Sequence, residues 1–177
     1  MNDELWKNSA CTVVDALLSK TIKPTDVLNS LELRCASVNK TINALPTLCF
    51  DRAYDSALKI EAKAETVAGH DSGYPFYGLP IPIKDSYKVA GVRTTFGSLA
   101  FENYIPDCSD IIVQIIEKAG GIIYAKSNTP EFEAGASTFN EIFGFTRNPW
   151  NTLYSAGGSS GGAAASVASG MAFIAQG

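Results

Sequence analysis

The first third of the chain has the apolar periodicity of amphipathic helices. Apolar side chains recur on one helical face after Ser9, a residue type that caps helices, and Pro24 suits the first turn of a second helix. Asp51 is placed to cap a third helix that ends before Gly69. The three predicted apolar stripes are Ala10, Val13, Val14, Leu17 and Leu18; Val27, Leu28, Leu31, Cys35 and Val38; and Ala53, Ala57, Ile60 and Ala64. The pattern predicts a helical scaffold over about residues 1–68, with a short extended segment at 42–50.

The rest of the chain, about residues 69–177, alternates between strand-like and helix-like patterns. A segment rich in glycine, proline and aromatic residues leads into an apolar strand that ends at Lys84. Cap residues at 107–109 precede a predicted helix, and residues 122–125 predict a second strand. The apolar face expected for that helix is Ile111, Ile112, Ile115 and Ile116. A cap-plus-proline signature at 128–131 indicates another helix start, and the alternation favours an α/β architecture.

A glycine-rich segment near the end of the chain is the most distinctive part of the sequence. Two glycine pairs flank two serines, in the order Gly157, Gly158, Ser159, Ser160, Gly161 and Gly162. Glycine permits positive φ and close approach, so the segment predicts a sharp bend that leads into a helix. The N-terminus of that helix would offer free N–H groups to an anion or oxyanion. The apolar run at 171–175 is typical of a buried strand.

Two other interpretations of this segment compete with a structured loop. Gly/Ser clusters are often flexible linkers, and glycine-rich loops also bind phosphate. A phosphate-binding P-loop requires a Lys-Ser or Lys-Thr pair, which the segment lacks. The dense apolar continuation favours a loop held against a core.

Composition and charge exclude several classes of protein. With 46% apolar and 18% charged residues, the chain is globular and of single-domain length. A net charge of −4 without basic blocks gives no reason to expect nucleic acid or an anionic membrane as a partner. The start lacks the features of a signal peptide, and no apolar run reaches about 18 residues. The widely spaced Cys11, Cys35, Cys49 and Cys108 indicate buried free thiols in a reducing, cytoplasmic compartment, with no zinc site or disulfide framework.

Lys84 is an unusual residue for the end of an apolar strand. Burial of a lysine disfavours its charged form, which makes a buried lysine a candidate base. The alternative is an ordinary surface lysine at a strand end. His70 is the only histidine and lies in a polar segment. A hydroxyl nucleophile would therefore depend on a lysine base, unless His70 itself served.

Four motifs occur in a fixed order along the second part of the chain. They are GLPIPIKD at 78–85, NTPEF at 128–132, RNPW at 147–150 and AGGSSGG at 156–162. Together with GVRTTFGS at 91–98, they resemble the amidase signature family of serine amide hydrolases. The resemblance spans essentially the whole chain. It implies an α/β fold with a mixed β-sheet core surrounded by helices, here incomplete at the C-terminal side, within one domain.

The resemblance also implies roles for individual residues. The family uses a Ser–cis-Ser–Lys triad, in which Lys84 matches the lysine base and Ser159 matches the bridging serine that follows a cis peptide bond. Gly157 and Gly158 would support the loop that binds the substrate oxyanion. Ser160 would have at most a helix-start and support role.

The third member of the triad is expected outside this chain. In the family, the attacking serine lies in a Gly-Gly-Ser segment, and Gly177 resembles the start of that segment. Neither Ser166 nor Ser169 lies in the required motif. Glu133 departs from the family pattern, which often has glycine at this position.

The expected function is hydrolysis of a non-peptide carboxylic amide through a serine acyl-enzyme in the full-length parent. A glutamyl/aspartyl-tRNA amidotransferase A-type subunit is one alternative, although residues 128–140 are more similar to the hydrolase branch. A catalytically inactive truncated fragment is the other. The resemblance implies a small-molecule amide substrate and no metal or organic cofactor. As partners of the chain, either a second copy in a homodimer or a complementary C-terminal segment remains open. No membrane partner is expected.

Overall fold

The computed structural model describes residues 4–62 and 73–177 of the chain. His70 and the predicted end of the third helix lie outside the described residues. The described helices are α1 (Ala10–Leu18), α2 (Pro24–Ile42), α3 (Phe50–Ala62), α4 (Ile111–Lys118) and α5 (Gly161–Ala168). The strands are β1 (Thr47–Leu48), β2 (Pro80–Lys84), β3 (Ile122–Ser127), β4 (Phe139–Asn140), β5 (Gly144–Phe145), β6 (Arg147–Asn148) and β7 (Asn151–Ser155). The predicted mixed α/β class is confirmed.

The N-terminal helices follow the sequence pattern closely. The Ser9 side chain accepts a hydrogen bond from the Thr12 N–H and so caps α1, and Pro24 is the first residue of α2. Both helices bury the predicted stripes, of which Ala10, Val14 and Val38 are only partly covered. Helix α3 begins at Phe50, one residue before the predicted cap.

A mixed three-stranded sheet lies at the centre, in the order β1-β3-β2. Strand β1 runs antiparallel to β3, whereas β2 runs parallel to it. Because β2 and β3 are parallel, their C-terminal ends meet, and Lys84 is paired in register with Ser127. Every residue of both strands is buried. The sheet therefore brings the polar ends of two buried strands to one edge.

Two apolar cores cover the two faces of the sheet. Tyr124 of β3 packs with Leu31 of α2 in one core, whereas Ile123 packs with Ile83 of β2 and Leu17 of α1 in the other. Alternate side chains of a strand point to opposite faces, which explains this division. Both faces of the β2–β3 pair are thus fixed by packing. Within residues 4–62 and 73–177, no helix has the length and apolarity needed to cross a membrane.

Helix α4 buries only one residue of the predicted face, Ile116. Val113 and Ile116 are buried, whereas Ile111, Ile112 and Ile115 are exposed. The helix begins at Ile111 after Asp110, beyond the predicted caps. Gly120, at φ 92°, turns the chain after the helix. Because five of the eight positions of this helix are isoleucine or valine, the orientation of the helix on the sheet decided which of them are buried.

Two further predicted elements do not form. The predicted helix after residue 128 is only the 3₁₀ turn Glu131–Glu133, in which Phe132 and Glu133 have left-handed φ values of 48° and 62°. Left-handed residues cannot continue a right-handed helix. The predicted strand at 171–175 is irregular.

The irregular segment at 171–175 results from a turn at the end of α5. Gly170 has a φ of 73°, and the N–H groups of Met171 and Ala172 both donate to the Ser166 carbonyl. The chain then folds back on β2, where the Gln176 N–H donates to the Pro82 carbonyl. Met171 and Ala172 are buried and the other residues of this segment are half-buried, although none of them joins the sheet.

The cysteines of the chain are free thiols, as predicted, but they are not all buried. Cys35 is buried and Cys49 is partly buried, whereas Cys11 and Cys108 are exposed. Burial raises the pKa of the Cys35 thiol to about 12, which disfavours its reactive thiolate.

Candidate active site

Lys84 is a buried lysine at the end of a buried parallel strand. Only 3% of the residue is exposed, so the alternative of an ordinary surface lysine is wrong. Its backbone N–H donates to the side-chain oxygen of Gln176 over 3.1 Å, which ties the strand end to the returning chain. This contact holds the backbone of Lys84 in place, and with it the position from which the side chain extends.

The two serines of the glycine loop lie at the Lys84 amine. Lys84 Nζ is 2.8 Å from Ser159 Oγ and 3.0 Å from Ser160 Oγ, although the serines are 75 and 76 residues away in sequence. The peptide bond between Gly158 and Ser159 is cis. Each hydroxyl oxygen is close enough to accept a proton from the amine or to donate one to it.

The glycines of the loop allow close backbone approach. A Cβ at Gly162 would lie 2.3 Å from the Asn128 nitrogen, and one at Gly158 would lie 2.9 Å from the Gly135 carbonyl oxygen. A side chain at either position would displace backbone atoms. The loop is held by these contacts against the chain that follows β3, so it is not a flexible linker.

The amides of this loop are largely engaged by the protein. The Gly158 N–H donates to the Ala136 carbonyl, the Gly161 N–H to Thr138 Oγ1 and the Gly162 N–H to the Asn128 carbonyl. The prediction of free N–H groups at the start of α5 is therefore wrong for Gly161 and Gly162. The Gly157 carbonyl accepts a hydrogen bond from the Thr138 hydroxyl. Gly157 and Gly158 thus shape the loop and anchor it.

Ser160 does not cap α5 in the predicted way. It occupies the N-cap position, but its side chain makes no capping hydrogen bond. Thr138 provides the oxygen that accepts from the first helical N–H, at 3.0 Å, and Ser160 Oγ contacts Lys84 instead. No local sequence signal points to Thr138 in this role, because it lies 23 residues away in another part of the chain.

Ser166 and Ser169 lie apart from the Lys84 amine. Ser166 Oγ donates to the Ala163 carbonyl, and Ser169 Oγ donates to the Ala165 carbonyl. Both hydroxyls thus bond the carbonyls of α5. The chain end is closer to the site, because a Cβ at Gly177 would lie 3.1 Å from Ser160 Oγ.

A buried ion pair holds the residue that follows the end of β2. Lys126 Nζ lies 2.9 Å from Asp85 Oδ1 and 2.8 Å from Thr94 Oγ1, and both charged residues are almost fully buried. Asp85 Oδ2 also accepts from the Thr95 backbone N–H and hydroxyl. Burial lowers the pKa of Lys126, and the Asp85 carboxylate opposes that change. This network fixes the residue directly after Lys84.

Glu133 also contacts the Lys84 amine. Glu133 Oε1 lies 3.2 Å from Lys84 Nζ and accepts a short hydrogen bond from Ser86 Oγ. The Ser86 hydroxyl and then the Lys84 ammonium lower the pKa of the Glu133 carboxyl, against the effect of burial. In the sequence, Glu133 is notable only as a departure from a family pattern, and nothing there places it at the lysine.

The site combines a mixed α/β fold with a buried lysine that contacts two serine hydroxyls, and comparison with known proteins identifies the family. A profile of the family named Amidase matches residues 26–177, which is most of the chain. The chain belongs to the amidase signature family.

Individual relatives agree with this assignment. The A-type subunit of glutamyl-tRNA(Gln) amidotransferase from Nitratidesulfovibrio vulgaris (strain DP4) is 38% identical over 169 residues, covering 96% of this chain and 34% of the relative. The solved structure of 6-aminohexanoate cyclic dimer hydrolase complexed with substrate matches with a TM-score of 0.84 and 32% identity, covering 97% of this chain and 33% of that one. A bacterial aryl acylamidase matches with a TM-score of 0.85 and 28% identity, covering 93% and 34%. The chain spans about one third of the length of these relatives.

Proposed function

We propose that the protein containing this chain hydrolyses a carboxylic amide through a serine acyl-enzyme. The observation that carries the proposal is the 2.8 Å contact between the buried Lys84 amine and Ser159 Oγ. A neutral amine at this distance can accept a hydroxyl proton. In this proposal Lys84 is the base and Ser159 is the group that relays the proton.

The reaction begins with attack by a serine that the family resemblance places beyond Gly177. Its oxygen forms a bond to the amide carbon while its proton passes to Ser159 Oγ, and the Ser159 proton passes to Lys84 Nζ. The proton returns by the same route to the leaving nitrogen as the C–N bond breaks. Water then attacks the acyl-enzyme and releases the acid, with the same two groups moving its proton. Backbone N–H groups of the loop that carries the nucleophile would stabilise the oxyanion.

A second candidate function is that of an amidotransferase A-type subunit. The observation that favours it is the 38% identity to the corresponding subunit of glutamyl-tRNA(Gln) amidotransferase. In that case the amide would be glutamine, and the ammonia would pass to an aminoacyl-tRNA held by partner subunits. The chemistry at Lys84 and Ser159 would be the same, so the two functions differ in the substrate and in the acceptor of the ammonia.

The test is an assay of the complete open reading frame that contains this chain. The purified protein would be incubated with glutamine, aliphatic amides and aryl anilides, and ammonia or amine release would be measured. Hydroxylamine trapping of the acyl group would detect the acyl-enzyme. Amide turnover that persists without partners supports a hydrolase, whereas glutamine turnover that requires partner subunits supports the amidotransferase.

Two lysine variants, one at the proposed base and one as a control, complete this assay. Lys84→Ala should lose turnover, and Lys88→Ala should retain it because Lys88 is a partly exposed lysine that pairs with Asp110. Absence of both turnover and trapped acyl group in the complete protein would contradict the proposal. It would favour a catalytically inactive form of the fold.

A further inference from the structure

The Lys84 amine has a third polar neighbour that the proposed reaction does not use. Glu133 Oε1 lies 3.2 Å from Lys84 Nζ, compared with 2.8 Å for Ser159 Oγ and 3.0 Å for Ser160 Oγ. The Glu133 side chain is 40% exposed, so it lies at the boundary between the buried amine and solvent. The candidate base therefore forms an ion pair in addition to its contacts with the two serines.

The backbone around Glu133 holds this carboxylate in place. Glu133 ends the 3₁₀ turn Glu131–Glu133, and its N–H donates to the Pro130 carbonyl over 3.0 Å. The preceding N–H, of Phe132, donates to the Phe96 carbonyl over 2.8 Å. Ser86, two residues after Lys84, donates its hydroxyl to Glu133 Oε1. The carboxylate is thus fixed from both its own turn and the segment that follows β2.

Other charged groups near the strand end are already paired. Asp85 directly follows Lys84, and Lys126 approaches from β3, but these two residues form an ion pair with each other. Among residues 4–62 and 73–177, the one ion pair found for Lys84 is that with Glu133. The local charge acting on the Lys84 amine is therefore mainly that of Glu133.

We infer that Glu133 sets the pH range in which the site is active, by stabilising the protonated form of Lys84. The inference rests on the proposed function, in which Lys84 must be neutral to accept the Ser159 proton. A carboxylate at ion-pair distance favours the ammonium over the amine. Glu133, 3.2 Å from the amine, therefore opposes the neutral form of Lys84 that the proposed reaction requires.

The lowered pKa of the Glu133 carboxyl is consistent with this arrangement. The Ser86 hydroxyl is the largest cause and the Lys84 ammonium contributes, while burial acts in the opposite direction. The Ser86 hydroxyl and the Lys84 amine thus both favour the ionised form of the Glu133 carboxyl.

The test compares the pH dependence of kcat/KM for the complete protein and two Glu133 variants. Glu133→Gln removes the charge at nearly constant volume, and Glu133→Gly is compatible with the φ of 62° at this position. Both variants should shift the ascending limb of the profile to lower pH, by about 0.5 to 1 pH unit. Added NaCl should shift the limb of the unmodified protein in the same direction and have a smaller effect on the variants.

Glu131→Gln is the matched control, because Glu131 is an exposed glutamate of the same turn. Its profile should superimpose on that of the unmodified protein. Glu133 profiles that also superimpose, or a change in KM for cationic substrates without a shift of the limb, would overturn the inference.

Lys84→Ala, assayed in parallel, separates this inference from the proposed function. Loss of turnover in Lys84→Ala with unshifted Glu133 profiles would refute only the role of Glu133. Retained turnover in Lys84→Ala would refute both.

Discussion

Three oxygen atoms surround the amine of Lys84, two from hydroxyl groups and one from a carboxylate. Ser159 and Ser160 each present a hydroxyl, which can accept or donate a proton. Glu133 presents a carboxylate, which can accept a proton but has none to donate. The side chain reaches them from a buried strand end, where its amine is shielded from bulk water. The consequences of changing single residues at this site therefore differ sharply from one position to the next.

Substitution of Lys84 tests whether proton transfer or positive charge is required. In the complete protein, Lys84→Ala should reduce kcat/KM by at least about 10²-fold, because it removes the proposed base. Lys84→Arg should not restore activity, since arginine keeps its proton at any relevant pH. Thermal melting of each variant would establish that the fold is retained. Near-normal hydrolysis by Lys84→Arg would refute the assignment of Lys84 as the base.

Substitution of the two serines should separate relay from support. Ser159→Ala should lower kcat by about 10²- to 10⁴-fold, because it interrupts the path between Lys84 and the nucleophile. Ser160→Ala should have a much smaller effect on kcat, since Lys84 keeps its contact with Ser159. It should also change the melting temperature little, because its hydroxyl makes no capping hydrogen bond. Comparable losses of kcat in the two variants would mean that the relay hydroxyl has been misassigned.

At the scale of secondary structure, the sequence predicted elements well wherever apolar residues occupied one side only. Helices α1 and α2 have narrow stripes with clear start signals, and both were predicted with their buried faces. Helix α4 has isoleucine or valine at five of its eight positions, so its sequence indicated the buried Ile116 but did not separate the buried Val113 from the exposed Ile111. The strand predicted at 171–175 was wrong because an apolar segment can be covered without forming a strand.

The candidate site was predictable only in part. Lys84 was notable from local sequence, because a lysine rarely ends an apolar strand, and the family resemblance paired it with Ser159. The contact of Glu133 with Lys84 depends on a left-handed turn whose sequence is typical of a helix start. Thr138 and Lys126 support the site through contacts between distant segments. Such contacts follow from tertiary packing, which has no local pattern.

The buried ion pair between β3 and the end of β2 gives a prediction about stability. Lys126→Met keeps the length of the side chain but leaves the Asp85 carboxylate buried without its cation. It should lower the free energy of unfolding of the complete protein by about 3–5 kcal/mol. Lys7→Met, which removes an exposed pair with Glu4, should cost at most about 1 kcal/mol. Denaturant unfolding followed by circular dichroism would measure both, and equal small losses would show that the buried pair contributes little.

At the scale of the whole chain, several large apolar side chains have no cover among the described residues. Ile111 of α4 is 75% exposed, and Trp150 and Leu153 of the β6–β7 hairpin are 87% and 89% exposed. Large apolar side chains that are exposed to this extent are candidates for contacts with other parts of a protein or with partners. Since the chain spans about one third of its relatives' length, such surfaces are expected where further sequence would pack.

The isolated 177-residue chain should therefore self-associate or be poorly soluble, and it should lack amidase activity. The exposed side chains of α4 and the β6–β7 hairpin are the reason for this expectation. Light scattering of the chain expressed alone would measure its association, and hydrolysis of aryl and aliphatic amides would measure its activity.

Replacing Ile111 and Leu153 with lysine should reduce association without altering the buried core, whereas Val113→Lys should unfold the chain. A monodisperse, cooperatively melting monomer of the unmodified chain would contradict the prediction. Turnover that a serine substitution within this chain abolishes would show that the nucleophile lies among these residues.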